Sequence, residues 1–153
     1  MNITYYGHSC FGVEVGGKHL LFDPFITHNE LAKGKVDINA IKADYILLSH
    51  GHEDHVADAA PIAKRTGAKV IGSWEVVNWV GKHGVELIHP MNIGGKIKLD
   101  FGSVKCVNAV HSSSMPDGSN GGNPMGFVVE TPEGNFYYAG DTALTYDMKL
   151  IGD

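Results

Sequence analysis

Basic residues are few and scattered: 12 lysines and arginines stand against 17 acidic residues, for a net charge of −5. No cluster beyond Lys64-Arg65 could neutralise a run of phosphates, which argues against a nucleic-acid partner. That pair reads instead as the last turn of a helix before Gly67, where cations complement the helix dipole. Cysteine is scarcer still. Cys10 and Cys106 lie in separate apolar runs without Cys-x-x-Cys spacing, and two buried thiols fit a reducing cytoplasm. Long apolar runs are absent, and Met1–Gly7 has neither the basic start nor the apolar core of a secretion signal, so no membrane insertion is expected. With 43% hydrophobic and 19% charged residues, and no repeat, low-complexity tract or linker, residues 1–153 suit one globular domain.

Histidine is what the chain has in excess. Three of its nine histidines fall within His50-Gly51-His52-Glu53-Asp54-His55, directly after Tyr45-Ile46-Leu47-Leu48, which reads as the end of a buried strand. A fold has no packing reason to crowd imidazoles there, because they repel when protonated and bury poorly. In an extended chain alternate side chains share a face, so His50 and His52 can reach one cation together. If the chain turns into a helix near Val56, Asp54 and His55 swing round to hold a second cation close enough to share a water with the first. The spacing predicts a two-metal layout.

A His-x-His-x-Asp-His run after a strand, followed by a separate histidine and a downstream aspartate, resembles the signature of the metallo-β-lactamase superfamily. His111 closes the apolar stretch Val104–Val110 and Asp141 closes Asn135–Gly140, each expected at a strand's C-terminal edge. The phrases Tyr6-Gly7-His8-Ser9-Cys10-Phe11 and Leu21-Phe22-Asp23-Pro24-Phe25 are similar to the branch holding ascorbate-6-phosphate lactonase, N-acyl-phosphatidylethanolamine phospholipase D and predicted metal-dependent hydrolases. The resemblance runs from Tyr5 to the last residue and implies an α/β fold of the αβ/βα sandwich type. It implies that His50, His52 and His111 hold one metal, that Asp54 and His55 hold another, and that Asp141 bridges them. Two divalent metal ions are expected, zinc first, with manganese, iron or nickel also suited to a mixed nitrogen and oxygen shell. Superfamily members carry a further histidine that completes the second site, and none follows His111. The resemblance therefore implies a C-terminally shortened chain whose second half is incomplete.

The implied activity is hydrolysis of an ester, lactone, amide or phosphodiester bond in a small-molecule substrate. A metal-bound hydroxide is the expected nucleophile, since bound water has its pKa lowered to roughly 7. Asp54 would orient it or take its proton. A catalytically impaired metal-binding protein lacking the last ligand is the alternative. Redox diiron chemistry is disfavoured, because that branch uses a carboxylate where this chain has His52.

Other residues have two readings. Asp23 accepts the free ring N–H of a ligating histidine, or is a turn aspartate before Pro24. His8 binds substrate or protonates a leaving group, or is a loop histidine. The glycine- and serine-rich segment Ser112–Pro124 is a mobile lid over the metals or a surface excursion. His19, His28, His83 and His89 have no ligand-like partners nearby and read as structural. A shortened half-fold would expose apolar surface, which is compatible with a homo-oligomer.

Strands are expected at Asn2–Tyr6, Phe11–Val15, Lys18–Phe22, Asp44–Ser49, Ala68–Ile71, Glu86–Ile88, Lys96–Phe101, Val104–Val110, Gly126–Glu130 and Asn135–Ala139. Gly16-Gly17 reads as a hairpin turn and 23–40 as a loop. Asp58 and Ser73 are expected to cap helices running to about Arg65 and Lys82, and a last helix follows Thr142.

Overall fold

In the computed structural model, which describes residues 1–152, two sheets pack face to face with helices outside them. The first sheet runs β1 (Asn2–Gly7), β2 (Cys10–Val15), β3 (Lys18–Phe22), β4 (Tyr45–Leu47), β5 (Lys69–Ser73) and β6 (Ile88–Met91), in that order. β1, β2 and β3 form an antiparallel meander. The turn between β2 and β3 needs positive φ at both central residues, and Gly16 (57°) and Gly17 (73°) supply it without steric cost. From β3 to β6 the pairing is parallel, so each connection must cross a face of the sheet. Helices α1 (Glu53–Val56) and α2 (Ala59–Thr66) make the crossing after β4, and α3 (Trp74–Lys82) the one after β5. The second sheet, β10 (Phe136–Tyr138), β9 (Met125–Glu130), β8 (Gly102–Asn108) and β7 (Lys96–Leu99), is antiparallel throughout. Helix α4 (Asp147–Gly152) begins to cover its outer side, with Asn108 Nδ2 donating to Asp147 at 3.2 Å.

The apolar runs of the central strands follow from burial on both faces. Leu21, Ile46, Leu48 and Val70 point toward the helices and pack on Ile62, Val76, Val77 and Val80. Their neighbours Leu20, Phe22, Leu47 and Ile71 point the other way, onto Val104, Cys106, Phe127 and Val129 of the second sheet. No helix among the described residues is long and apolar enough to cross a membrane.

Several boundaries differ from expectation for identifiable reasons. The helix after the histidine run starts at Glu53 and not near Val56, so Asp54 and His55 already lie on its single turn. Asp58 occupies the cap position of α2 but makes no side-chain cap. Its carboxylate accepts instead from the Ile26 amide (2.6 Å), the Thr27 amide (2.9 Å) and the Thr27 hydroxyl (2.6 Å), fastening the segment after β3. β6 runs on through Pro90 because it is an edge strand, where a missing N–H is tolerated. β8 stops at Asn108, opposite the first residue of β9, Met125. Segment 23–40 contains one 3-10 turn at Ile38–Ala40, capped by Asp37.

The strand directions decide where chemistry can gather. Asp23 follows β3 and His50 lies just beyond β4, at the C-terminal ends of parallel strands, where α/β folds commonly bind ligands. β8 and β10 run alongside each other in one direction, with β9 between them, and their C-terminal ends deliver His111 and Asp141 to that same edge. The Met125 amide donates to the Ser49 carbonyl at 3.0 Å, sewing the two sheets together there.

Candidate metal centre

Three groups of donor atoms converge at this edge, one of them, Asp23 with His50 and His55, fully buried behind the other two. In the first, the ligand atoms of His50, His52 and His111 lie within 4.8 Å of one another. The ring centroids of His50 and His111 are 5.1 Å apart, as are those of His52 and His111, and the rings meet nearly edge to face. In the second, His8, Asp54 and His55 converge by the same measure. Asp141 stands between them: its Oδ2 is 3.4 Å from His55 Nε2 and 3.7 Å from His111 Nε2. All six residues of the expected metal set are therefore brought together, although His111 and Asp141 come from loops 61 and 91 residues beyond His50 (111 − 50 and 141 − 50).

Asp23 organises the histidines from behind. It is fully buried, and its Oδ1 accepts from the Ser49 amide at 2.7 Å. Its Oδ2 receives the Ser49 hydroxyl (2.5 Å), His55 Nδ1 (2.8 Å) and the Tyr138 hydroxyl (2.7 Å). Burial, then the Asp23 charge, hold the Tyr138 hydroxyl far above its ordinary pKa, so it remains a donor. With the Ser49 proton committed to Asp23, the contact from Ser49 Oγ to His50 Nδ1 at 2.9 Å requires the imidazole to donate. Both His50 and His55 thus carry their proton on Nδ1 and present a bare Nε2 to the site.

Those bare nitrogens are the test of whether the residues fit a cation. His55 Nε2 is buried with no hydrogen-bond partner. His50 Nε2 faces His52 Nδ1 at 2.9 Å, while Ser112 Oγ, 3.3 Å away, takes the other nitrogen of His52. With the Ser112 hydroxyl donating to that nitrogen, the His52 proton sits on Nδ1 and bonds to His50 Nε2, so the buried atom left without a partner, the one a cation would satisfy, is His55 Nε2. The donor set fits a metal ion.

Burial, reinforced by the repulsion that a protonated His55 or His52 would exert, lowers the His50 pKa to about 4, against the opposing pull of Asp23 and Asp141. It is a neutral imidazole at neutral pH, the form that ligates. At His55 burial again acts downward and is the largest single influence. The hydrogen bond and charge of Asp23, with Asp141 and Asp54, outweigh it and raise the pKa. Burial acts to raise the Asp54 pKa, but His55, its own amide and His8 prevail and keep that carboxyl below its ordinary value.

Residues 18–152 match the model of the beta-lactamase superfamily domain. The chain belongs to this superfamily. Its relatives include UPF0173 metal-dependent hydrolases of Methylacidiphilum infernorum (55% identical over the whole chain and 67% of the relative) and Flavobacterium johnsoniae (58% identical over 99% of the chain and 66% of the relative). Among solved structures, Igni18, a metallo hydrolase of the archaeon Ignicoccus hospitalis, superposes with a TM-score of 0.83 at 37% identity, covering 98% of this chain and 64% of that one. The chain spans about two thirds of the length of the curated relatives it matches.

Within this superfamily fold, the segment after His111 is tied to the domain at several points. Met115 is buried in the helix-side core, and Ser114 bridges to Asn120. Trp79 Nε1 donates to Asp117 at 2.9 Å, and the Ser73 hydroxyl donates to the Gly121 carbonyl at 2.9 Å. The Ser113 hydroxyl accepts from the Gly51 amide at 3.0 Å, between His50 and His52. Gly51 is required there: a Cβ would stand 2.5 Å from Met115 Sδ and 3.1 Å from the Ser114 carbonyl oxygen. The segment forms a wall beside His52.

Ser49, Tyr138 and Met115 are the site-shaping residues that sequence reasoning missed. A serine preceding the histidine run is the one local signal that could have pointed to the buried hydroxyl. Of the remaining histidines, His19 lies 3.6 Å from Glu14 and His83 stacks on Trp79, both on the surface away from the donors. The Cys10 and Cys106 thiols are free, buried in different cores and pushed by burial up to about 12.

Proposed function

We propose that this chain is the metal-binding body of a hydrolase that uses two divalent metal ions to cleave an ester, lactone, amide or phosphodiester bond in a small molecule. The observation that carries this reading is the pair of donor groups facing each other across Asp141, with the buried His55 Nε2 left without a partner among them. His50, His52 and His111 would hold one ion and Asp54 and His55 the other, with Asp141 within reach of both groups. When bound, such ions lower the pKa of water to about 7 and polarise the bond to be broken. Zinc suits the three-imidazole set, and manganese, iron or nickel suit the carboxylate-rich one.

The chain's own residues do the rest. Asp23, through Ser49 and directly, keeps the His50 and His55 protons on Nδ1, away from the reacting atoms. Asp54 accepts a hydrogen bond from the attacking water and orients it. The wall formed by 112–124 borders the site on the His52 side. A groove of about 370 Å³ runs from His8 and Ser9 past Phe11, Phe22 and Tyr138, giving an apolar part of a substrate somewhere to lie. Free thiols in two separate cores support a cytoplasmic setting. The exposed Leu144, Tyr146 and Leu150 support self-association.

Reconstitution tests this reading. Metal-free protein incubated with zinc or manganese should take up about two ions per chain. It should then hydrolyse a member of a panel of lactones, phosphodiesters and acyl amides, lose that activity to a chelator and regain it with metal. Failure to bind metal contradicts the proposal.

A further inference from the structure

The geometry points to His8 as a direct donor to the second metal ion, a role that rests on the dinuclear reading above. His8 Nε2 lies 2.9 Å from Asp54 Oδ2, and His55 Nε2 lies 3.9 Å from the same oxygen. Two donors on one tetrahedral zinc stand about 3.3 Å apart, a spacing that these two distances bracket, and all three donor atoms lie within 4.8 Å of one another. Asp141 Oδ2, 3.4 Å from His55 Nε2, supplies the fourth donor. Within this set, the fully buried His55 Nε2 has no hydrogen-bond partner, and a cation beside His8 and Asp54 gives it one.

The backbone holds His8 for this purpose. His8 (φ 53°) and Asp23 (φ 41°) are the two non-glycine residues with positive φ among the described residues, and both serve the same site. Such a conformation costs on the order of 1 kcal/mol or more and persists where the surroundings dictate it. Here the His8 ring packs edge-on against Phe25 at 5.6 Å and His55 at 5.3 Å, while the Tyr138 hydroxyl lies 2.8 Å from the carbonyl of the next residue, Ser9. The side chains of His8 and Asp54 remain 38% and 45% exposed, which leaves the ion a way in. His8 then joins Asp54, His55 and Asp141 among the donors that this chain offers the second ion.

Titration of metal-free protein with cobalt(II), followed by visible absorption and by calorimetry, separates the possibilities. Wild-type chain should bind about two equivalents. His8→Asn, whose new residue tolerates the left-handed backbone, should keep one tight equivalent and bind the other at least about 10-fold more weakly. His8→Gln should behave likewise, and both should match the wild type in far-UV circular dichroism. His111→Ala should weaken the equivalent that His8→Asn leaves intact. If both His8 variants bind two equivalents with wild-type affinity and spectrum, the ligand assignment is overturned while the dinuclear reading stands. A wild-type chain that takes up no more than about one ion overturns both.

Discussion

Asp23→Asn should lower stability by about 2–4 kcal/mol in the metal-free protein and weaken zinc binding by about 10- to 100-fold. The carboxylate accepts four hydrogen bonds in a fully buried position, three of them at Oδ2. An amide nitrogen placed there would confront the Ser49 hydroxyl, His55 Nδ1 and the Tyr138 hydroxyl with a donor where each needs an acceptor. A hydroxyl can turn away; the His55 N–H cannot, and it is left unpaired in the interior. The effect on metal has a separate cause. If the Ser49 hydroxyl accepts from the new amide, its proton turns toward His50 Nδ1, and the His50 proton moves to Nε2, the nitrogen that must be bare to ligate. Urea melts of metal-free protein and zinc calorimetry measure the two losses independently. A variant that is less stable but binds zinc normally would show that Asp23 holds the fold without setting the tautomers.

The second large effect is on turnover. Asp54→Asn, assayed at saturating metal on whichever substrate the panel identifies, should reduce kcat by about 10²- to 10⁴-fold with metal still bound. The carboxylate sits on the single turn α1, 45% exposed at the mouth of the site, and is held ionised by His55, its own amide and His8. Asparagine keeps an oxygen donor at the position but loses the charge that orients water. Elemental analysis of the same sample separates lost chemistry from lost metal. Unchanged kcat would remove Asp54 from the mechanism.

The parts of this site that depend on local order were legible in the sequence. The apolar strand before His50 and the alternation of His50 with His52 are properties of a few consecutive residues, as is the Ser73 cap, whose hydroxyl accepts from the Val76 amide. Helix α3 accordingly begins and ends where the sequence indicates. Contacts between distant segments were legible only in part. A histidine N–H on Asp23 was one of two readings of that residue, but its bonds to Ser49, 26 residues away, and to Tyr138, 115 away, have no local signal. Met115 sits in a segment rich in serine and glycine that reads as free loop, yet its side chain plugs the helix-side core over Gly51. Asp58 has the right residue type and position for a cap, but competing backbone donors at Ile26 and Thr27 claim its carboxylate. Boundary errors at β6 and β8 have the same origin, because an edge position tolerates Pro90 and a partner strand decides where Asn108 ends its ladder.

Anomalous scattering at the zinc edge, from crystals grown with zinc, tests the convergence of these donors most directly. The expected map has one peak among His50, His52 and His111 and a second beside Asp54 and His55, with Asp141 reaching both. A map with no peak at this edge of the sheets, or a zinc bound by His50 and His52 without His111, would contradict the account.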